Sequence, residues 1–188
     1  MFELEVKAPI DDPEGLEKRL RVLGAKLVAD ESHVDVYYNA PHRDFARTDE
    51  ALRMRIKRHP RGYVVTYKSP RISRVVKTRE EFEVSVDDPE GAKRILERLG
   101  FKPAATVEKE RRKYQIGGIK ISIDHVRELG FFVEIEIKEK NLGSRERREQ
   151  TIFELMDRLL IPRDRILDKT YLEMLLEKRA SREFSDRP

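Results

Sequence analysis

The chain opens with Glu3-Leu4-Glu5-Val6-Lys7, a stretch in which charged and apolar residues alternate. A period of two is typical of a β-strand, so the charged side chains share one face and the apolar side chains share the other. The carboxylates of Glu3 and Glu5 then lie roughly 7 Å apart, because a strand rises about 3.4 Å per residue. At that spacing one carboxylate can bind a metal ion while the other binds a neighbouring ion or a water molecule.

The same alternation returns along most of the chain and predicts about eight strands. Short turns at Pro60-Arg61-Gly62 and Gly117-Gly118 predict antiparallel pairing. Amphipathic patterns over 145–160 and 169–179 predict two helices in addition to the two that belong to the repeat described next. The further alternating segments lie at 34–38, 52–57, 63–68, 74–87, 105–115, 119–124 and 131–138.

An internal repeat divides the chain into two similar halves. The sequence Asp-Asp-Pro-Glu-Gly occurs at 11–15 and again at 87–91, and Leu-Gly occurs at 23–24 and 99–100. In each copy an Asp before Pro predicts a helix N-cap, and the Gly predicts the stop. The apolar faces of these helices are expected at Leu16, Leu20 and Leu23 in one copy and at Ile95, Leu96 and Leu99 in the other. We therefore expect halves of roughly 1–70 and 74–140, related by a pseudo-twofold axis.

Composition limits the class of protein. The chain has 188 residues, 40% of them charged, and the net charge is only +4, so its charges are largely paired or solvated. It has no cysteine, which excludes disulfides, thiolate catalysis and zinc–thiolate sites. No apolar run reaches 18 residues and the N-terminus lacks a signal-peptide pattern, so we expect a cytoplasmic protein without a membrane partner. The scarcity of Asn and Gln beside abundant Lys, Arg and Glu suggests a thermophile.

The charged faces of the predicted strands admit two interpretations. In the simpler one the sheet is half buried and its solvated face carries cross-strand ion pairs. Against it, charges of one sign cluster, with acidic pairs at 3/5, 81/83 and 134/136 and basic pairs at 53/55 and 109/111. Eight strands can instead close into a barrel with their apolar faces outward under helices, leaving a charged lumen. Such a lumen needs water and ligands, and a triphosphate with Mg²⁺ or Mn²⁺ would satisfy both signs.

These residues resemble, in order, the motifs of the CYTH superfamily, which groups class IV adenylyl cyclases, thiamine triphosphatases and inorganic triphosphatases. The match runs from residue 1 to about 175. The stretches 35–39, 45–53 and Thr170-Tyr171-Leu172 look most like the class IV adenylyl cyclase branch. The resemblance implies a triphosphate tunnel of eight antiparallel strands, and it allows for a homodimer. The residues that carry it are Glu3-x-Glu5-x-Lys7, Arg53-x-Arg55, Arg79-x-Glu81-x-Glu83, Lys109-x-Arg111, Asp124 and Glu134-x-Glu136.

Site roles follow from the resemblance together with the chemistry of each side chain. Carboxylates bind hard divalent ions, and Arg and Lys bind phosphate oxygens. We assign the metal to Glu3, Glu5, Glu134, Glu136 and Asp124, and catalysis to Asp124, Glu5 and Glu136, with Asp124 also able to position the attacking group. We assign triphosphate binding to Lys7, Arg53, Arg55, Lys68, Arg79, Lys109 and Arg111. Supporting roles go to Glu81, Glu83 and Lys169, the last as a residue that closes over the tunnel mouth.

Three functions remain open at this stage. The first is metal-dependent cyclisation of ATP to cyclic AMP and pyrophosphate, and the second is hydrolysis of inorganic triphosphate, thiamine triphosphate or a nucleoside triphosphate. The third is binding of polyphosphate or nucleotide without turnover, which so many carboxylates argue against. A nucleic-acid partner is disfavoured because the basic residues alternate with acids and lack interleaved aromatics.

The remaining expectations concern boundaries and surface residues. We expect a single domain over 1–179, with the C-terminal helices in 145–179, followed by a flexible tail over 180–188. The ends of charged strand faces, at Lys57, Lys113 and Lys138, are expected at the exposed surface. The four histidines show no metal-ligand spacing and are also expected to be exposed, namely His33, His42, His59 and His125.

Overall fold

Eight antiparallel strands close into one β-barrel, as the alternation predicted. The computed structural model describes residues 2–59, 61–72, 77–139 and 145–185. The order around the barrel is β1-β5-β4-β3-β2-β6-β7-β8, and β8 pairs with β1 to close it. The strands are β1 Phe2–Pro9, β2 Lys26–Asn39, β3 Ala51–His59, β4 Gly62–Lys68, β5 Lys77–Ser85, β6 Lys102–Ile116, β7 Ile119–Val126 and β8 Gly130–Glu139.

The internal repeat appears as two matching strand–helix–strand units. Helix α1 spans Pro13–Val22, and α3 spans Pro89–Arg98, with their first residues 76 positions apart. The strands that follow them, β2 and β6, begin at the same spacing and pair with each other over most of their length. The first strand of each unit, β1 or β5, likewise pairs with its counterpart. The two halves therefore pair with each other at two places in the barrel, β2 with β6 and β1 with β5.

The predicted helix caps and stops are confirmed. The Asp12 carboxylate accepts a hydrogen bond from the Gly15 amide at 2.8 Å, and Asp88 accepts one from Gly91 at 2.9 Å. After each helix a glycine takes a left-handed backbone conformation, with φ of 81° at Gly24 and 87° at the equivalent glycine of α3. Glycine adopts that region without the steric cost that a Cβ imposes, so each helix ends where the sequence predicts.

Helices cover the two halves unequally. Helix α4, Arg145–Arg158, packs with α1 on the outer faces of β1, β7 and β8, and this buries Leu16 and Leu20 completely. The predicted apolar face of α3 is only partly correct, because Ile95 and Leu99 are 62% and 63% exposed. In α3 the residues that pack on the barrel include Leu96, which joins a cluster around Tyr38 on β2. Within the described residues, α4 packs beside α1 and no equivalent helix packs beside α3.

The rest of the chain forms shorter elements and the C-terminal helix. Helix α2, Phe45–Thr48, follows β2, and a 3-10 turn spans Arg163–Arg165. Helix α5 runs from Tyr171 to Ser185, so it continues past residue 179, where we expected a flexible tail to begin. Residues 74–76 of the expected strand over 74–87, and 186–188 of the expected tail, lie outside the described residues. In the described part of the chain, no helix combines the length and the hydropathy that crossing a membrane requires.

Candidate active site

The charged faces of the strands point into the barrel and line one cavity of about 340 Å³. This arrangement follows from the closed sheet, because successive residues of each strand point alternately into and out of the barrel. It excludes the interpretation in which these charges spread over an outer face. The predicted residues that line the cavity are Glu3, Glu5, Lys7, Arg53, Arg55, Lys68, Arg79, Glu81, Glu83, Lys109, Arg111, Glu134 and Glu136.

Three carboxylates form an acidic group where β1 meets β8. Glu5 lies directly opposite Glu136 in the strand register, and Glu3 is two residues from Glu5 on the same face. Burial, with the added repulsion of Glu3 and Glu5, raises the pKa of Glu136 to about 6. Like charges directly opposite each other in a sheet are destabilising, and the lysines beside this pair lie beyond hydrogen-bond distance, with Lys7 3.8 Å from Glu5 and Lys138 3.7 Å from Glu136. We name Glu3, Glu5 and Glu136 the acidic group.

One atom of the acidic group fits a cation. Glu136 Oε1 is buried and makes no hydrogen bond within the described residues, and Lys138 Nζ lies 3.7 Å from it. Within the same residues, no three acidic or histidine side chains already form a metal centre. That does not argue against Mg²⁺, because this ion keeps several waters and commonly binds proteins through one or two carboxylates. The acidic group therefore has the chemistry that Mg²⁺ or Mn²⁺ requires.

Titration of Glu136 provides a direct test of cation binding. In metal-free buffer that contains a chelator, we expect its side-chain carboxyl to titrate with an apparent pKa of about 6, because burial and its acidic neighbours favour the protonated form. A divalent ion binds the ionised form and competes with the proton, so saturating Mg²⁺ should lower this pKa. Carboxyl ¹³C NMR with and without Mg²⁺ measures both values. An apparent pKa that Mg²⁺ and Mn²⁺ leave unchanged would remove Glu136 from the metal site.

Asp124 and Glu134 belong to a different group, centred on Arg111. Arg111 donates to both carboxylates, including a bond from Nε to Asp124 Oδ1 of 2.6 Å. Burial opposes these charges, but Arg111 together with the nearby lysines outweighs it and holds the pKa of Asp124 and that of Glu134 below their ordinary values. Two lysines complete the group, with Lys109 Nζ 3.2 Å from Asp124 and Lys7 Nζ 3.2 Å from Glu134. In this arrangement the two carboxylates position cations.

A second cationic group surrounds Asp35, which the sequence analysis missed. Arg55 donates two hydrogen bonds of 2.7 Å to the Asp35 carboxylate, and Arg53 lies 3.7 Å from the same group. Arg53 also donates to the Thr66 hydroxyl at 3.0 Å. The alternation of β2 contained the signal, because Asp35 stands between the apolar residues Val34 and Val36 and therefore faces the lumen.

Lysines link the acidic group to the neighbouring strands. Lys68 Nζ donates to Glu3 at 2.5 Å and lies 3.7 Å from Glu81, while Lys138 Nζ donates to Glu81 at 3.2 Å. Burial would lower the pKa of Lys68, but Glu3 and Glu81 outweigh it and raise that pKa. Glu81 therefore positions these lysines. Glu83 is exposed and lies at the edge of the cavity, and Arg79 is buried and opposite Glu3 in the register.

Several surface expectations were wrong. His33 is fully buried, its Nε2 lies 2.7 Å from Glu31, and burial beside Arg55 and Lys109 lowers its pKa to about 2. Period two on β2 places this histidine inside the barrel, and that positional signal outweighs the usual exposure of histidine. The strand-end lysines also turn inward and line the cavity, namely Lys57, Lys113 and Lys138. His42, His59 and His125 are exposed as expected.

Lys169 does not close the cavity. It lies on the outside of the molecule, where Nζ forms an ion pair of 2.7 Å with Glu177 of α5. Both side chains are about half exposed, so the pair is a solvated surface contact. We therefore remove Lys169 from the residues that support the site.

The fold and the interior together define a class, the triphosphate tunnel barrel, in which eight antiparallel strands enclose a lumen of Arg, Lys and carboxylates. The chain belongs to the CYTH domain family, whose model matches residues 1–171. This match extends through every strand of the barrel and reaches the first residue of α5.

Relatives agree with this assignment. A provisionally named adenylate cyclase of Methanocaldococcus jannaschii is 38% identical over 174 residues, which cover 93% of this chain and 98% of the relative. The PH1819 protein of Pyrococcus horikoshii has a similar structure, with a TM-score of 0.86, 37% identity and coverage of 94% of this chain and 99% of its own. A provisionally named adenylyl cyclase of Hippeastrum, described as having a dominant triphosphatase activity, shares the fold at a TM-score of 0.63 and 18% identity, with 86% and 88% coverage.

Proposed function

We propose that this protein is a divalent-metal-dependent enzyme that acts on the triphosphate group of its substrate inside the barrel. The observation that carries the proposal is the division of one cavity into an acidic group with an unsatisfied carboxylate and a wall of buried arginines and lysines. A polyanion alone would satisfy the basic wall and a cation alone the acidic group. A metal–triphosphate complex satisfies both.

Four cations of the wall are arranged to bind phosphate oxygens. Arg53 and Arg55 on β3 face the cavity from one side, and Lys109 and Arg111 on β6 face it from another. Each is held by a carboxylate or hydroxyl, namely Asp35, Asp124 or Thr66, so its position is fixed before the ligand arrives. Such preorganisation lowers the entropic cost of binding.

Cyclisation of ATP is the leading reaction, and the name of the 38% identical relative supports it. The 3′-oxygen of the ribose bonds to the α-phosphorus, its proton is released, and the bond from the α-phosphorus to the bridging oxygen breaks as pyrophosphate leaves. When bound by Glu5 and Glu136, with Glu3 beside them, Mg²⁺ or Mn²⁺ supplies Lewis acidity and offsets charge on the phosphates.

The residues of the lumen bind the triphosphate, orient it and neutralise its charge. Arg111 and Lys109 stabilise charge that develops on the phosphate oxygens, in a lumen where such interactions are stronger than in water. Asp124 is completely buried and holds both of these cations, so its role in the reaction is to fix their positions. Positioning and electrostatics account for most of the rate enhancement in phosphoryl-group chemistry.

Hydrolysis of a triphosphate is the second candidate, because it uses the same cationic wall and needs no ribose. In that reaction a water oxygen bonds to a terminal phosphorus and orthophosphate is released. The triphosphatase activity described for the Hippeastrum relative supports it, although that relative shares only the fold at 18% identity. The two reactions differ in whether the mouth of the cavity orients a nucleoside.

Product analysis decides between the candidates. The purified protein is incubated with ATP or with tripolyphosphate, in Mg²⁺ and in Mn²⁺, and products are resolved by ³¹P NMR and chromatography. Cyclic AMP with pyrophosphate supports cyclisation, and orthophosphate from either substrate supports hydrolysis. Tight binding without turnover would identify a polyphosphate or nucleotide binder and contradict the enzyme proposal.

Arg55→Ala should weaken tripolyphosphate binding by about 10- to 100-fold. A charge-assisted hydrogen bond is typically worth about 1.5–3 kcal/mol, and loss of Arg55 also leaves the Asp35 carboxylate facing the anionic ligand. Isothermal titration calorimetry with tripolyphosphate measures the change. Arg61→Ala is the matched control, because Arg61 is exposed and bonds to the Tyr63 hydroxyl. Equal affinities of the Arg55 variant and the wild type for tripolyphosphate would show that Arg55 is not part of the triphosphate-binding wall.

A further inference from the structure

Tyr171 is the first residue of α5, yet its side chain reaches the cavity. It is only 5% exposed and lines the cavity together with residues of the barrel wall. The sequence drew attention to it only as part of Thr170-Tyr171-Leu172, and no role in binding or catalysis has been given to it above. It is an aromatic residue from outside the barrel, and it lines the cavity beside the charged residues of the strands.

The ring of Tyr171 lies against two ammonium groups of the triphosphate wall. Lys7 Nζ is 3.9 Å from the ring centroid and Lys109 Nζ is 4.9 Å from it. Both distances are within the roughly 6 Å at which a cation is attracted to the face of an aromatic ring. The ring also makes an edge contact with Phe132 on β8, with centroids 5.1 Å apart. One side chain therefore joins a lysine of β1 to a lysine of β6.

The backbone around Tyr171 is fixed at several points. The Leu167 amide donates to the carbonyl of Lys7 at 2.8 Å, so the segment before α5 is tied to one of the two lysines. Thr170 and Glu173 form a reciprocal capping box, with bonds of 2.6 and 3.2 Å. These contacts set where α5 begins, and they place the Tyr171 ring with little freedom to move.

We propose that Tyr171 is a positioning residue, which holds the ammonium groups of Lys7 and Lys109 where they meet the triphosphate. That the ligand is a triphosphate rests on the proposed function, whereas the arrangement of ring and ammonium groups does not. The physical reason is the nature of the attraction. A carboxylate that holds a lysine carries a full negative charge and repels an incoming phosphate, while an aromatic ring attracts the ammonium with no net charge.

The neighbouring carboxylates show why a neutral contact is useful at this place. Lys7 lies 3.2 Å from Glu134, and Lys109 lies 3.2 Å from Asp124. Arg111 binds both carboxylates as well, so their charge is shared among three cations. The ring adds attraction for the two lysines without further neutralising them, which leaves net positive charge available to an anionic ligand.

Substitutions at Tyr171 separate the ring from the hydroxyl. The Tyr171 hydroxyl is buried near Asp124 without a hydrogen bond of ordinary geometry to any described residue, and burial with this carboxylate raises its pKa, whereas the ring alone contacts the two lysines, so Tyr171→Phe keeps what the proposal requires. Tyr171→Leu keeps an apolar side chain and removes the ring. Phe132→Leu is the matched control, because it removes the edge contact of Phe132 with Tyr171 and leaves the Tyr171 ring in place. Tyr171→Met serves as a second variant where the leucine protein does not fold.

Two measurements test the proposal. In ligand-free protein, the ¹H shifts of the lysine ε-methylenes report the ring current, which should be lost for Lys7 and Lys109 in Tyr171→Leu and kept in Tyr171→Phe and Phe132→Leu. Calorimetric titration with tripolyphosphate, without divalent metal, should show about tenfold weaker binding in Tyr171→Leu and affinities within about twofold of wild type in the other two, as expected for two cation–π contacts.

Each result has a defined meaning. Unchanged ε-methylene shifts in the Leu or Met variant overturn the proposal, as does an equal loss of affinity in Tyr171→Phe or Phe132→Leu. The proposal is supported if the ring-current shifts and the affinity are lost in the Leu or Met variant and kept in Tyr171→Phe and Phe132→Leu. If the wild-type protein does not bind tripolyphosphate, the proposed function is contradicted. The shifts of the ligand-free protein still show whether the ring holds the two lysines.

Discussion

Glu136→Gln should reduce turnover by a factor on the order of 100 to 1000 while the barrel stays folded. The amide has nearly the shape of the carboxylate but no charge, so a divalent ion in the acidic group loses a ligand that supplies several kcal/mol of transition-state stabilisation. Glu5, directly opposite in the register, should give the same result when it is changed to Gln. The measurement is kcat for whichever reaction the product analysis establishes, at saturating Mg²⁺.

The free energy of unfolding of Glu136→Gln should be equal to or higher than that of the wild type, although its turnover is lower. The folded protein raises the pKa of Glu136 from 4.5 to about 6, so keeping this group ionised costs folding free energy that grows as pH rises between those values. Glu136→Gln removes that cost. In a chelator at pH 7 the variant should therefore unfold at a denaturant concentration at least as high as the wild type requires.

The control for the acidic group is Glu83→Gln, which removes a carboxylate from the exposed edge of the same cavity. It should retain kcat within about threefold, because exposed charges are screened by solvent and salt. Near-normal turnover in both Glu5→Gln and Glu136→Gln would refute the metal assignment. A loss equal to theirs in Glu83→Gln would show that net negative charge matters, and that the positions of individual carboxylates do not.

The sequence was sufficient to predict the barrel because one rule, alternation with period two, acts in every strand. It placed Glu3, Arg53 and Glu134 on faces that could converge only if the sheet closed, and the structure brings them into one cavity. The repeated Asp-Pro and Leu-Gly pairs located α1 and α3 because capping is a local interaction between residues three apart. Local signals of this kind do not depend on the rest of the fold.

The sequence could not show which cation each carboxylate contacts inside the barrel. Alternation places Asp124 and Glu136 both inside, but it does not say that Asp124 binds Arg111 while Glu136 is left beside other carboxylates. That difference depends on register between strands far apart in the chain. The exposed face of α3 also depends on distant residues, because α4 packs beside α1 and the described residues contain no equivalent helix beside Ile95 and Leu99.

For His33, the position of the residue in its strand is a better guide to burial than its residue type. His33 was expected at the surface because most histidines with no metal spacing lie there, yet period two on β2 directs it inward with Asp35. Tyr171 was missed as a cavity residue for another reason. It lies on a helix outside the barrel, and no pattern within one element shows that a helix terminus will reach the lumen of another.

Arg111→Met should lower the free energy of unfolding by about 3–5 kcal/mol at pH 7. The substitution keeps much of the side-chain length but leaves Asp124 and Glu134 buried without their shared cation, and breaking a buried ion pair on one side costs about this much. Lys7 and Lys109 remain nearby, which keeps the loss from exceeding this range. Urea unfolding of both proteins, without metal or ligand, gives the difference.

The matched control is Arg112→Met, the same change one residue further along β6. Arg112 points to the outer face, is about one-third exposed and pairs with Glu17 of α1. Glu17 is buried, but Arg21 remains 3.9 Å from it, so we expect a smaller loss than at Arg111, of about 1–2 kcal/mol. Equal losses at 111 and 112 would mean that the change reflects the substitution in β6 generally, and would contradict a special role for the buried pair.

The pH dependence of the Arg111 variant distinguishes lost charge compensation from lost packing. In the wild type, Arg111 holds the pKa of Asp124 and that of Glu134 below their ordinary values of 3.8 and 4.5, so their contribution is fully present above those values and is lost as pH falls. In the variant, protonation removes an uncompensated charge and therefore stabilises the protein. The difference between the two proteins should narrow as pH is lowered from 7 to 4, and a difference that stays constant over that range would assign the loss to packing.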